Sequence, residues 1–103
     1  MGETRPLGLL FTVSALNELD EILSYIQAHS PSGARQVQSR IKALTDLLCY
    51  HPLAGQSTSR FPIRRIVATP YPYVLFYKQD ETKIVILSVR HAARKSLKAK
   101  GLE

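Results

Sequence analysis

Five basic side chains and one histidine in the second half of the chain are the groups best suited to chemistry: Arg64, Arg65, Arg90, His91, Arg94 and Lys95. A guanidinium fork binds phosphate or carboxylate through paired hydrogen bonds, and an imidazole exchanges its proton near neutral pH. Gathered on one surface, such groups would hold an anionic macromolecule. Dispersed, they would pair with Asp46, Asp80 or Glu81, or simply be solvated. His29 and His51 are too far from His91 in sequence to form a recognisable metal set and read as structural or exposed. The chain has no glycine-rich phosphate loop, no zinc-protease helix and no serine elbow, so neither a cofactor nor a metal is expected. Cys49 is alone and has no partner for an intramolecular disulfide, which fits a reducing cytoplasm. Tyr71, Tyr73 and Tyr77 lie near arginines and could stack on bases. Tyr73 and Tyr77 flank Leu75 at even spacing, however, which places all three on one face of a strand and favours packing.

The elements that must position these groups change character halfway along. Leu9 to Val13 is a short apolar run rich in β-formers, bounded by Gly8 and Ser14, and reads as a strand. Leu16, Leu19, Leu23 and Ile26 then recur at helical spacing, which predicts a helix from about Ser14 to His29. Pro31 ends it, while Ser30 and Pro31 supply the cap and first position of a second helix. Ala34, Val37, Ile41, Leu44 and Leu48 carry that helix to about His51. With almost no loop between them, the two helices must be antiparallel and share their apolar stripes. Residues 52–60 read as a loop. Three strands follow, near 63–69, 73–78 and 83–90, joined by short turns and therefore expected to form an antiparallel meander. The tail from Ala92 has helix-forming residues and many lysines, and a short C-terminal helix is expected there.

The resulting order, β-α-α-β-β-β, implies an α+β fold with a helical hairpin on one face of a four-stranded, mainly antiparallel sheet. At 103 residues, 1–103 is a single domain, with the leader 1–6 and the tail 96–103 expected to be flexible. A hydrophobic content of 45% with 21% charged residues suits a globular chain with one modest core. The apolar run near the start is too short, and too close to Glu3, for a signal peptide. No stretch is long enough for a membrane span.

Charge is divided unevenly. Residues 1–50 carry four basic and five acidic side chains, and residues 51–103 carry ten and three, for a net charge of +6. A field concentrated in one half favours an anionic partner and speeds encounter with it. Arg64 and Arg65 are neighbours on a strand and must point to opposite faces. Whichever faces away from the helices is expected to join Arg90 and Arg94 in a compact anion-binding surface.

Several stretches resemble a known family. Ala15 to Gly55, with Leu16-x-x-Leu19, Ile22-x-x-x-Ile26 and a closing His51-Pro52-x-x-Gly55, resembles the helical half of the RelE/ParE toxins of bacterial type II toxin–antitoxin systems. The C-terminal half is more specific: Ile63-Arg64-Arg65-Ile66, then YPYVLFYK from 71 to 78, then IVILSVRHAAR from 84 to 94. Together these cover about Leu9 to Lys95.

The resemblance implies two activities on one scaffold. The RelE-like branch cuts messenger RNA in the ribosome without metal, using lysines and arginines, usually with a C-terminal tyrosine or histidine. The ParE-like branch poisons DNA gyrase. Cleavage needs a base, an acid and cations around a pentavalent phosphate. Arg64, Arg90 and His91 could serve, but no lysine lies between Ala43 and Tyr77 and no tyrosine follows Tyr77. The ending from Val89 to Arg94 is similar to ParE-like members. The expectation is therefore a ParE-like toxin that inhibits gyrase by binding, with Arg64, Arg65, Arg90, His91, Arg94 and Lys95 as target contacts. Its implied partner is a cognate ParD-like antitoxin, held in a hetero-oligomer. The alternatives are a RelE-like endoribonuclease acting on ribosome-bound mRNA, and a non-toxic basic RNA- or protein-binding module.

Overall fold

The computed structural model describes residues 5–93. The expected C-terminal helix, with Arg94 and Lys95, lies outside the described residues, as do the first four residues of the leader. In chain order the elements are β1 (Gly8–Phe11), α1 (Val13–His29), α2 (Pro31–Tyr50), β2 (Gln56–Ser57), β3 (Arg64–Val67), β4 (Tyr73–Gln79) and β5 (Lys83–His91).

Capping groups decide where the helices begin. The Thr12 hydroxyl accepts from the Ala15 N–H at 3.1 Å, so the first strand stops at Phe11 and Val13, expected in that strand, opens α1 instead. Ser30 serves both helices. Its N–H donates to the Ile26 carbonyl at 2.7 Å and closes α1, while its Oγ accepts from Gly33 N at 3.0 Å and caps α2, with Pro31 in the first turn. The α2 stripe is buried as its spacing predicts, through Ala34, Val37, Ile41, Leu44 and Leu48. On α1 the inward stripe runs through Ala15, Leu19, Ile22 and Ile26. Leu16, expected on that stripe, falls at its margin and is half exposed.

The expected α+β architecture is present, with one more strand than its sequence suggests. The sheet has five strands in the order β1-β5-β4-β3-β2. β1 runs parallel to β5, and the remaining pairs are antiparallel. β2 falls within the stretch read as loop, because two residues are too few to show alternation. The helical stripes pack against Ala68, Leu75, Tyr77, Ile84, Ile86 and Val89 to form the core. No described helix is long and apolar enough to cross a membrane.

A bulge governs the face that the end of β5 presents. Phe76 pairs with Ser88 but Tyr77 pairs with Ile86, leaving Leu87 as an extra residue. Ile84 and Ile86 face the helices before it, and Val89 does so after it. Ser88 and Arg90 therefore turn to the opposite face.

Candidate functional site

Strand register sorts the basic residues into two groups. Arg65 pairs with Phe76, which pairs with Ser88, and Arg90 pairs with Val74, so Arg65 and Arg90 share the face away from the helices. Lys78, opposite Val85, joins them. Strand spacings place the α-carbons of Arg65 and Arg90 about 12 Å apart. Arg64 and His91 lie on the helix side, roughly 16 Å apart by the same geometry. The six expected contacts thus divide, with Arg94 and Lys95 beyond the described residues.

Arg64 is committed to the protein itself. Its Nη1 donates to the Gly55 carbonyl at 2.7 Å, and the Gly55 N–H donates to the Tyr77 hydroxyl at 2.9 Å. That hydroxyl donates in turn to the Pro52 carbonyl at 2.8 Å. Together these bonds hold the turn that leads into β2. Gly55 is required there, since a Cβ would lie 2.6 Å from the Arg65 carbonyl oxygen and 2.7 Å from the Tyr77 hydroxyl. Burial pushes the Tyr77 phenol above its ordinary pKa, against smaller opposing effects of the Gly55 N–H and the Arg64 charge. At neutral pH the phenol therefore stays protonated and acts as a structural donor.

Arg90 is held differently. Its Nε donates to Ser88 Oγ at 2.7 Å and lies 3.3 Å from a Glu18 carboxylate oxygen. The other Glu18 oxygen accepts from Ser88 Oγ at 2.8 Å and from the Val89 N–H at 2.9 Å. Only 16% of the Arg90 side chain is exposed. One carboxylate on α1 thus satisfies the β5 backbone just beyond the bulge and fixes the guanidinium. Arg65 is less constrained, with one long bond of 3.4 Å from Nη1 to Gln56 Oε1. It is the arginine of the sheet with most capacity left for an external anion.

His91 ends β5. Its ring meets Tyr73 edge-on with centroids 5.4 Å apart, and its Nδ1 accepts from the Ala93 N–H at 3.1 Å. The neutral ring therefore carries its proton on Nε2. Tyr73, Leu75 and Tyr77 share the helix-side face, and Leu75 and Tyr77 are fully buried, so this row packs as its spacing predicts.

Sequence reasoning passed over Glu18, Ser88 and Lys78. Glu18 had a visible signal: at i+3 from Ala15 and i−4 from Ile22 it stands on the inward stripe, where a charge demands a partner. Lys78 also had one, because alternation along β4 places it opposite in direction to Tyr77.

Comparison with known proteins identifies the family. The family model described as the ParE toxin of the type II toxin–antitoxin system parDE matches residues 9–96. The chain belongs to the ParE toxin family. Among similar proteins is "Putative toxin Y4kP" of Sinorhizobium fredii, 34% identical over 82 residues, covering 80% of this chain and 84% of the relative. Toxin RelE2 of Caulobacter vibrioides is 34% identical over 86 residues, covering 84% and 96% respectively. Among solved structures, the chromosomal ParDE system of P. aeruginosa shares the fold, with a TM-score of 0.73 at 19% identity over 82% of this chain and 95% of that one. The RelBE2 toxin–antitoxin complex of Mycobacterium tuberculosis gives a TM-score of 0.57 at 25% identity over 91% of this chain and all of that one.

Proposed function

We propose that this toxin acts in the cytoplasm by binding DNA gyrase, and that a ParD-like antitoxin neutralises it within a hetero-oligomer. Family membership supplies the toxin role, and the neighbouring folds come from toxin–antitoxin assemblies. The observation that carries the choice of branch is the state of Arg64. A phosphodiester nuclease needs its cations and its proton donor around one phosphate. Arg64 instead donates into its own turn, roughly 16 Å in backbone separation from His91. A binding surface needs no such convergence. Arg65 and Lys78 then supply positive contacts on the sheet face, Arg90 frames that face, Arg94 and Lys95 follow β5 in sequence, and Arg64 shapes the arm that carries Arg65.

Purified toxin is expected to inhibit supercoiling by purified gyrase, with activity restored by an equimolar amount of the antitoxin encoded beside it. Unimpaired supercoiling at saturating toxin would refute the proposal. The similarity to RelE2 favours a second reading, metal-independent cleavage of ribosome-bound mRNA. Under that reading His91→Ala abolishes cleavage and gyrase is untouched.

A further inference from the structure

The turn between β2 and β3 holds a group that the basic surface does not use. Phe61 is 92% exposed, the highest value for a large apolar side chain among the described residues. Single exposed apolar residues are ordinary on a surface. This one is presented by a turn that is tightly braced. The Thr58 N–H and hydroxyl both donate to the Ile63 carbonyl, at 3.1 and 2.9 Å. The Arg60 N–H donates to Thr58 Oγ1 at 3.1 Å, and the Ile63 N–H donates to the Arg60 carbonyl at 2.8 Å. Below the turn, β2 is tied to β3 and to the Arg64, Gly55 and Tyr77 bonds. The backbone that carries the ring is thus fixed when the chain folds, which lowers the entropy lost when the ring is bound.

Charge and geometry together indicate what the tip fits. No acidic residue lies between Asp46 and Asp80, and the arm carries Arg60, Arg64 and Arg65. Arg64 is committed to the Gly55 carbonyl, and Arg65, with one long bond to Gln56, belongs to the sheet face rather than to the tip. Among the described residues, the Arg60 guanidinium has no such acceptor. A polynucleotide is held through many phosphate contacts, and the tip offers one uncommitted cation. An aromatic side chain beside one arginine is instead the composition of a protein–protein hot spot.

We propose that the Arg60–Phe61 tip is an anchor for the toxin's target protein: the Phe61 ring enters an apolar pocket, and Arg60 meets a carboxylate at its rim. This rests on the reading that the toxin acts by binding a protein. The test uses full-length wild type, Phe61→Ala, Arg60→Glu and the exposed-site control Leu53→Ala, each expressed without antitoxin and also purified. Growth arrest, affinity for purified gyrase, affinity for the antitoxin and the unfolding midpoint are measured.

Phe61→Ala and Arg60→Glu are each expected to weaken gyrase binding at least about tenfold and to relieve growth arrest. Antitoxin affinity and the unfolding midpoint stay unchanged, and Leu53→Ala matches wild type. Wild-type toxicity in Phe61→Ala overturns the anchor, as does an equal loss of antitoxin affinity, or Phe61-dependent binding of a single-stranded RNA oligonucleotide. If wild type leaves gyrase unaffected while Phe61→Ala still abolishes arrest, the gyrase reading falls and the anchor stands. If wild type and Phe61→Ala inhibit gyrase equally, the anchor falls and the gyrase reading stands. Normal growth on wild-type expression overturns both.

Discussion

A carboxylate that accepts three hydrogen bonds or ion-pair contacts at the edge of a sheet is hard to replace. Glu18 meets the Ser88 hydroxyl, the Val89 N–H and the Arg90 guanidinium, and is itself only 28% exposed. Removing it strands a backbone donor and a largely buried cation, and leaving such groups unpaired costs more than the net worth of the bonds. Glu18→Ala is expected to destabilise the fold by about 2 to 4 kcal/mol in urea unfolding. A loss below about 0.5 kcal/mol, the range of an ordinary surface substitution, would show that the network carries little. Arg65 shares the face but has no comparable hold. The two arginines therefore separate by role, Arg90 as part of the frame and Arg65 as a group able to reach outward. Burial raises the thiol pKa of the lone Cys49 and Asp46 adds to the effect, which lowers its thiolate fraction at neutral pH.

Turns set which residues each strand presents. Between β4 and β5, Asp80 Oδ1 accepts from the Thr82 N–H at 3.0 Å and the Lys83 N–H at 3.2 Å. The Thr82 bond is the largest cause of a lowered Asp80 pKa. Desolvation opposes it, and the Lys83 backbone and ammonium reinforce it. Because the folded carboxyl holds its proton less readily than the unfolded one, its stabilising effect is complete above the ordinary carboxylate range and fades as pH falls through the folded value. Asp80→Asn should therefore melt below wild type at pH 7, and the gap should close toward pH 2. A gap that is constant with pH would assign the effect to shape rather than charge. β2 shows the same principle in miniature: two residues form a strand only because Arg64, Gly55 and Tyr77 fasten the turn before it.

Across the whole molecule the positive field belongs to the β half, while the helical hairpin contributes the core stripes and half of the acids. Such a field acts mainly on encounter rate, and salt screens it over about 8 to 10 Å. On the proposed gyrase-binding reading, association should slow several-fold between about 50 and 300 mM salt, with a smaller change in dissociation, as read by surface-immobilised kinetics. An association rate indifferent to salt would remove the basic surface from recognition and leave the apolar tip as the main contact.

Periodicity made the helical hairpin and the three long strands legible, because stripes at Val37, Ile41, Leu44 and Leu48 and alternation at Tyr73, Leu75 and Tyr77 each have one way to reach a core. Sequence order likewise placed Arg64 and Arg65 on opposite faces. It could not say which of them turns inward, since that depends on Gly55 reaching the same edge. Nor could it orient Arg90. Simple alternation from Ile84 and Ile86 would send Arg90 toward the helices, and only the extra residue at Leu87 turns it away, to be met by a carboxylate from 72 residues earlier. Local pattern fixes which residues seek the interior; where separate segments meet is decided by packing between them, which one-dimensional spacing does not contain.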